Sequence, residues 1–583
     1  MNDAANESRT VRTAPPSHGG YELPTYPFRT PPELSDAAPR RYPVVIVGAG
    51  LAGLTLACEL ASRGIEAVVL DEDDTVGVRG ASSRAICYAR KSLEIFARLG
   101  VYGRIRARGV QWSVGRTLAG EDEIYSFDLS EQAAQGEALQ PPFINLQQFY
   151  VEGFLVERIA EFNDAHANTC CTDLRWKSRV VACTQDDACV TLTVQTPEGN
   201  YAIEAGWVVD CAGCHSAIRA GFELAVNPAL GIDRWCISDV RFAHTPPAER
   251  WTWIEAPFNE GRAVWQHLMG DDVWRLDYQM DANADLDAIT RPEVVEERLR
   301  RHFGPDVEFE LMWVGPYSYR SQMLEHFRHG RVLFAGDAAH VMSPFGARGG
   351  NSGIQDAENL AWKLALVLEN RIPPQSALRL LDSYSHERVA AARENIRHTD
   401  RTNRFLTPHS PVEKLFRDAV IALAKKHAFA RAFVNTGRLS VASVYADSPL
   451  SSSNDAGRAL QNIALTLPDG RSGDLVALLQ WAGMLPVVVA FGDIDEATAD
   501  GLGAIERRYP IRVVACTNDG TPRTSGPMKL PVIHERAASL ASGCAIEPRP
   551  AFALIRPDLH LAASLELTIE NVERAVRRVL AWN

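Results

Sequence analysis

The stretch Pro43 to Asp71, PVVIVGAGLAGLTLACELASRGIEAVVLD, leaves fewer folds open than any other part of the chain. Pro43 to Val47 is almost continuously apolar and β-branched, as in a strand buried on both faces of a parallel sheet. Gly48, Gly50 and Gly53 follow in GxGxxG spacing and open an apolar helix that ends near Gly64. A second apolar run, Ala67 to Leu70, closes on Asp71. The first glycine permits a tight turn and the second lets a pyrophosphate approach the backbone. The third packs helix against strand, and the helix N-terminus faces the phosphate charge. Asp71, 18 residues after Gly53, stands where a carboxylate accepts hydrogen bonds from a ribose. Together these parts predict a dinucleotide-binding unit on a Rossmann-like parallel sheet, and hence an α/β fold.

A length of 583 residues implies two to four domains. With 46% hydrophobic and 23% charged residues, the composition is that of an ordinary globular protein. A net charge of −13 argues against nucleic acid as the main partner and against docking on anionic membranes. No apolar run has the length of a bilayer span, and the N-terminus lacks the apolar core of a signal peptide. The 11 cysteines are scattered through apolar runs, which suits a reducing compartment. A cytoplasmic protein is therefore expected. Cys211 and Cys214 match CxxC, but no metal-site or thioredoxin-like helix start surrounds them, so they are read as structural.

Residues 1–40 are rich in Pro, Ser, Thr and Asn and read as a flexible tail, with Tyr21, Tyr26 and Phe28 able to pin it. Residues 41–225 and 320–446 are assigned to one discontinuous dinucleotide domain, and 226–319 to a β-sheet domain rich in tryptophan. Within the first, 371–445 reads as helical. The Ser, Asp and Asn of 447–457 mark a linker, and 458–583 reads as a separate α/β module. That module carries strands near 485–491, 511–516 and 530–533, a hairpin turning at Pro557-Asp558, and a closing helix. No fixed-period repeat is visible.

The second decisive stretch is Gly336-Asp337-Ala-Ala-His340, then Pro344-Phe-Gly-Ala-Arg-Gly349-Gly350-Asn351-Ser-Gly353. A carboxylate directly after a buried strand can reach a sugar-like hydroxyl chain, such as the ribityl of a flavin. A glycine-dense loop lets backbone amides approach a flat ring. A helix starting near Asn351 would aim its positive end at the ring's pyrimidine side and favour an anionic reduced flavin. His340 is read as a loop-packing residue.

These motifs, with Arg84-Ala, Gln148 and Glu152, resemble those of the single-component FAD-dependent aromatic hydroxylases, the group A flavin monooxygenases of the para-hydroxybenzoate hydroxylase fold. The terminal Leu554-Ile-Arg-Pro-Asp558-Leu-His560 is similar to the longer phenol-hydroxylase and hydroxyphenylpropionate-hydroxylase branch. The resemblance covers residues 41–583 and implies a C-terminal thioredoxin-like domain, FAD as cofactor, NADPH or NADH and O2 as co-substrates, and a homodimer. It implies hydroxylation of an aromatic small molecule through a C4a-hydroperoxyflavin. Residue by residue, Gly48, Gly50 and Gly53 would hold the FAD pyrophosphate and Asp71 the adenosine ribose. Arg84 would sit by the pyrophosphate, Gln148 and Asp337 by the ribityl, and Gly349, Gly350 and Asn351 along the flavin edge. Pro344 would line the reaction chamber. The family's Asp-Gly motif departs here, because Ala212 stands where its aspartate is expected and Asp210 lies two residues earlier.

The middle sheet is expected to roof the substrate chamber. Arg275 and Asp277 share one strand face, Trp274, Leu276 and Tyr278 the other, while Trp265 and His267 share a face of their own strand. His267 and Tyr278 are the acid–base types there, and Arg275 a polar orienter. Two rivals stand beside this reading. A halogenase or dehydrogenase could use the same fold, although Trp251-Thr-Trp253-Ile-Glu only partly matches the halogenase signature. A non-catalytic flavin-binding protein is the other, kept open by Ala212.

Overall fold

The computed structural model describes residues 21, 23–36, 38–77, 87–129, 139–166, 172–226, 233–319, 321–436, 439–517, 530–535, 539–546 and 550–582. It is a mixed α/β structure with three large sheets. The first is built on the apolar runs that the sequence marks. Its centre is five parallel strands in the order Val332–Phe334, Gly199–Asp210, Arg40–Val47, Ala67–Leu70 and Thr172–Arg175. Val44, Val45, Ile46 and Val68 are fully buried, because helices cover both faces of a parallel sheet. The helix Leu51–Ala61 follows the glycine turn directly and packs against a second helix, Arg348–Leu368.

The second sheet, hereafter the platform, has seven strands in the order Phe309–Tyr319, Asp233–Phe242, Val273–Gln279, Arg262–Leu268, Arg250–Ala256, Val114–Ala119 and Asp122–Asp128. All neighbours are antiparallel except Arg250–Ala256 with Val114–Ala119. Its last two strands thus come from a part of the chain well before 226. One face carries Cys236, Val264, Trp274, Leu276 and Tyr278 in a core that includes Val295 and Leu299 of the helix Pro292–Phe303. The other face carries Trp235, Ile254 and Trp265, which pack on Phe345.

A third sheet, of seven strands, lies in the C-terminal part and is buried on both sides. Its order is Ser472–Asp474, Ala464–Thr466, Val532–Glu535, Arg512–Thr517, Val487–Phe491, Ala551–Ile555 and Leu561–Glu566. The middle three are parallel, and the hairpin at Pro557-Asp558 adds antiparallel strands.

Two expectations need correction. Of 371–445, the helices are Pro374–Leu406, Pro411–Ala424 and Ala428–Arg431, after which the described chain is irregular. Its backbone there bonds outward: Ser440 N donates to Gly346 O at 2.8 Å and Tyr445 N to Gly457 O at 2.7 Å. The polar stretch 447–457 is likewise a packed strap, because Ser452 N donates to Ala562 O at 2.8 Å and Gly457 N to Leu561 O at 2.7 Å. Part of the N-terminal segment is also tied down. Tyr26 stacks on Trp176 with ring centroids 4.5 Å apart, and buried Glu33 pairs with Arg175 at 3.0 Å.

Candidate active site

The glycines of the first turn differ in what surrounds them. Gly48 has φ of +102°, and a β-carbon on it would lie 2.5 Å from the carbonyl oxygen of Cys211. A β-carbon on Gly53 would overlap the carbonyl oxygen of Gly48. Gly50 has only Glu152 Oε1 nearby, at 3.8 Å, so its backbone stays approachable. Asp71 accepts from Ala49 N at 2.6 Å and from Asp73 N at 2.9 Å, so it braces the glycine turn. Burial nevertheless pushes its carboxyl up to about 6. Glu152 accepts from Gly77 N at 2.7 Å and from Gln148 Nε2 at 2.6 Å, and burial pushes it up to about 7. Asp210 accepts from Ala212 N at 3.0 Å and from the Ser216 hydroxyl, so it organises its own turn rather than projecting in place of residue 212. Arg84 lies outside the described residues.

The second glycine stretch meets the first. Gly336 opens a 3-10 turn, Gly336–Ala338, with φ of +60°, and places the half-buried Asp337 directly after the strand. A β-carbon on Gly336 would lie 3.0 Å from that of Ala52, and one on Gly353 would lie 3.3 Å from Gly336 Cα. Behind the turn, Asp356 accepts from Gly336 N at 3.0 Å, sits 2.7 Å from His340 Nε2, and accepts from Arg388 Nε at 2.5 Å. His340 is thus buried in a brace. Pro344 is half-buried and caps a turn in which Ala347 N donates to Pro344 O at 2.8 Å. The helix begins at Arg348, so Gly349, Gly350 and Asn351 form its first turn. The Asn351 side chain accepts from Ala89 N at 2.9 Å and donates to Cys87 O at 2.8 Å, tying this helix to the strand Cys87–Ala89.

Facing this cleft is the polar part of the platform. Cross-strand register sets Asp239 opposite Arg275 and Arg275 opposite His267, a row continued by Arg250 on the next strand. Asp277 lies one step along the same face, opposite Trp265. Arg275 donates to both oxygens of Asp239, at 2.9 and 3.0 Å, and Tyr21 donates to the same carboxylate at 3.1 Å. His267 Nε2 is 3.8 Å from Asp277 Oδ2, while His267 Nδ1 and Asp277 Oδ1 are buried with no hydrogen-bond partner. Burial, then the charges of Arg250 and Arg275, hold the imidazole well below its usual range, so it is neutral. Burial pushes the Asp277 carboxyl up to about 7. Trp235 and Trp265 stack at 4.6 Å, and Phe345 tilts against Trp265 at 5.0 Å, giving the face an aromatic edge.

Residues 41–399 match the model of the FAD binding domain family. A flavin-dependent monooxygenase of Mycobacteroides abscessus is 31% identical over 365 residues, which span 60% of this chain and 71% of that one. The chain belongs to the FAD-dependent monooxygenases. The 3-(3-hydroxy-phenyl)propionate/3-hydroxycinnamic acid hydroxylase of Mycolicibacterium smegmatis is 28% identical over 384 residues, spanning 66% of this chain and 65% of that one. In overall fold the monooxygenase is similar to the flavin-dependent monooxygenase PieE, solved with FAD and substrate, with a TM-score of 0.75 at 20% identity. That likeness covers 94% of this chain and 100% of PieE.

The cleft of this monooxygenase fits FAD on its own geometry. The side chains that the Gly48 and Gly53 positions exclude, and the open backbone at Gly50, are what a pyrophosphate needs. The Asp337 turn converges on the same helix start. Of the residues expected at the chemistry, His267 and Arg275 share one platform face. Tyr278 does not join them: its hydroxyl is 3.0 Å from His302 Nδ1 in the core on the far face. Arg250 and Asp239 escaped the sequence reading, since only cross-strand register brings them together, while Tyr21, read there as a pin for the N-terminal segment, reaches Asp239 through its hydroxyl. Among the described residues no helix is long and apolar enough to cross a membrane.

Proposed function

We propose that this monooxygenase hydroxylates a phenolic or related aromatic small molecule, with NADPH or NADH as reductant and O2 as oxidant. The observation that carries the reading is the platform face: an aromatic edge of Trp235, Trp265 and Phe345 beside buried polar atoms of His267 and Asp277. When bound, FAD supplies electron transfer from the nicotinamide and activation of dioxygen. Gly48, Gly50, Gly53 and Asp71 would hold its adenosine diphosphate part, and Gln148 and Asp337 its ribityl. The first turn Gly349-Gly350-Asn351 would lie along its ring, and Arg84 beside its pyrophosphate.

The chain's own residues do the rest. Trp265 and Phe345 hold the flat substrate ring and, with Pro344, keep water from it. His267, with its Nε2 proton toward Asp277, presents Nδ1 as the acceptor of a phenol proton, and the resulting imidazolium is stabilised by Asp277 in its ionised form, which prevails above about pH 7. Arg275 positions Asp239 through two hydrogen bonds.

The third sheet and its helices, 458–583, form a thioredoxin-like module in this proposal, without a CxxC at a helix start. The dinucleotide domain is 41–225 and 320–446, less the two platform strands at 114–128, and 226–319 supplies the rest of the platform. The need for reduced nicotinamide assigns the enzyme to the cytoplasm. The test is turnover: a phenol should accelerate NAD(P)H oxidation with stoichiometric oxygenated product. A requirement for halide and a separate reductase would replace this reading with a halogenase.

A further inference from the structure

The platform face holds a buried cation to which the described residues give no direct partner. Arg250 starts the strand Arg250–Ala256 and is 9% exposed, with its Nε fully buried and without a partner. Among the described residues it has no hydrogen bond and no ion pair. A buried guanidinium ordinarily bonds several acceptors, and one left unpaired costs several kcal/mol.

Its neighbours do not bond it directly. Arg275 and Asp239 neutralise each other through two bonds. His267, beside Arg250 in the row, is neutral. Asp277 is the remaining carboxylate on the face. It attracts Arg250 electrostatically but makes no ion pair or hydrogen bond with it, and burial pushes its carboxyl up to about 7. Cys87 is near enough to interact electrostatically with Arg250, and burial pushes its thiol up to about 11. Cys87 belongs to the strand that Asn351 ties to the first turn of the helix Arg348–Leu368. Arg250 therefore lies on the platform face near Cys87, the residue tied to the proposed flavin edge.

Resting on the reading of the platform as the substrate wall, we infer that Arg250 is the docking cation for an anionic oxygen group, a carboxylate or an acidic phenolate, carried by the aromatic substrate. A planar guanidinium matches either group with two parallel hydrogen bonds, and desolvation in the closed chamber strengthens them. A neutral phenol of the same shape would leave the charge unpaired, so the enzyme selects by charge as well as by ring size.

The experiment compares matched probes on the FAD-loaded protein, with binding read from the flavin absorbance. The pairs are hydroxybenzoates against their methyl esters, and 4-nitrophenol above its own pKa against phenol. In at least one pair the anion should bind about tenfold or more tightly than its neutral partner. Arg250→Gln should remove that preference and Arg250→Lys should keep part of it. An anion that binds no better than its neutral partner in both pairs overturns the assignment, and so does a preference that survives in Arg250→Gln. The wild-type comparison decides even if the variant fails to take up FAD. Neutral and charged phenols that speed NAD(P)H oxidation equally would remove the role of Arg250 while the hydroxylase reading stands. Failure of every phenol to speed it would remove that reading itself.

Discussion

Gly336 packs against Ala52 so closely that a β-carbon on the glycine would come within 3.0 Å of the alanine's. This contact joins the turn that ends one parallel strand to the helix that follows another, and so makes one cleft from two remote motifs. The tightest point is inside the first turn, where Gly53 abuts the Gly48 carbonyl. Gly53→Ala should cost about 1–3 kcal/mol through overpacking and lower FAD affinity at least in proportion. Gly103→Ala is the control, since a β-carbon there meets nothing within 4 Å in the helix Tyr102–Arg108. It should be stabilising by about 0.5–1 kcal/mol. Thermal unfolding with and without FAD reads both, and equal effects from the two would undo the claim that the turn is closed.

Asp337→Ala should weaken FAD binding by about 1.5–3 kcal/mol, since the ribityl hydroxyls would lose a charged acceptor. His340→Ala acts differently, because His340 only braces Asp356 behind the turn. It should lower the melting temperature more than it lowers FAD affinity. Flavin occupancy after gel filtration and titration calorimetry separate the two. Unchanged affinity in Asp337→Ala would contradict the proposed ribityl contact.

What the sequence revealed depended on how local each feature is. Gly48, Gly50, Gly53 and Asp337 are legible because their geometry is set by neighbours within a few residues. Period two correctly put Trp274 and Tyr278 on the face opposite Arg275, but gave no sign of which face met the cleft. That is decided by Phe345 and by the helix Pro292–Phe303, both distant in sequence. The join of Val114–Ala119 to Arg250–Ala256 is a parallel pairing between remote strands, and no local pattern announces it. The strap 447–457 misled for a different reason. Its serines look solvated, but Ser448 is buried against the Glu387 carboxylate.

The pair Arg275 and Asp239 is buried, and Tyr21 completes the carboxylate's bonding. Removing one partner strands the other, so Asp239→Leu or Arg275→Met should each cost about 3–5 kcal/mol. Replacing both with apolar residues should recover most of that loss. Urea unfolding of the four proteins gives the coupling. If Arg275→Met instead abolished turnover at unchanged stability, Arg275 would belong to the chemistry.

Glu152 predicts a pH signature for the FAD-free protein. Burial raises its carboxyl to about 7, above the value of an unfolded chain, so the folded state binds more protons between the two. Stability from this group is fully present below the unfolded pKa and is lost as pH rises through about 7. Glu152→Gln removes the titration and keeps a carbonyl for the Gly77 amide. The wild type should therefore lose stability relative to the variant by up to about 1.4 kcal/mol per pH unit across that window. Parallel curves in denaturant titrations across that window would show that Glu152 titrates normally.

Arg556 is the bolt between the C-terminal hairpin and the helices behind the flavin loop. It donates to both oxygens of Glu387, at 2.6 and 2.9 Å, and to both oxygens of Asp558, at 3.0 and 2.6 Å. Lys363 donates to Glu387 at 2.7 Å, and Lys91 to the Asp558 carbonyl at 2.7 Å, all of it buried. Lys363 lies on the same helix as Gly349 and Asn351, so the module is fastened to the element that proposes to carry the flavin edge. Arg556→Met would strand two buried carboxylates and should cost about 3–5 kcal/mol. Arg556→Lys should rescue little, because a single ammonium cannot fork to two carboxylates. Deleting 447–583 should do worse, since it bares Trp362, Leu366 and Leu380, which the module covers. Insoluble or aggregating protein is expected there, read by light scattering. A monodisperse, fully active truncation, or an Arg556→Met protein with an unchanged melting temperature, would show that the hairpin rests against the flavin domain without holding it.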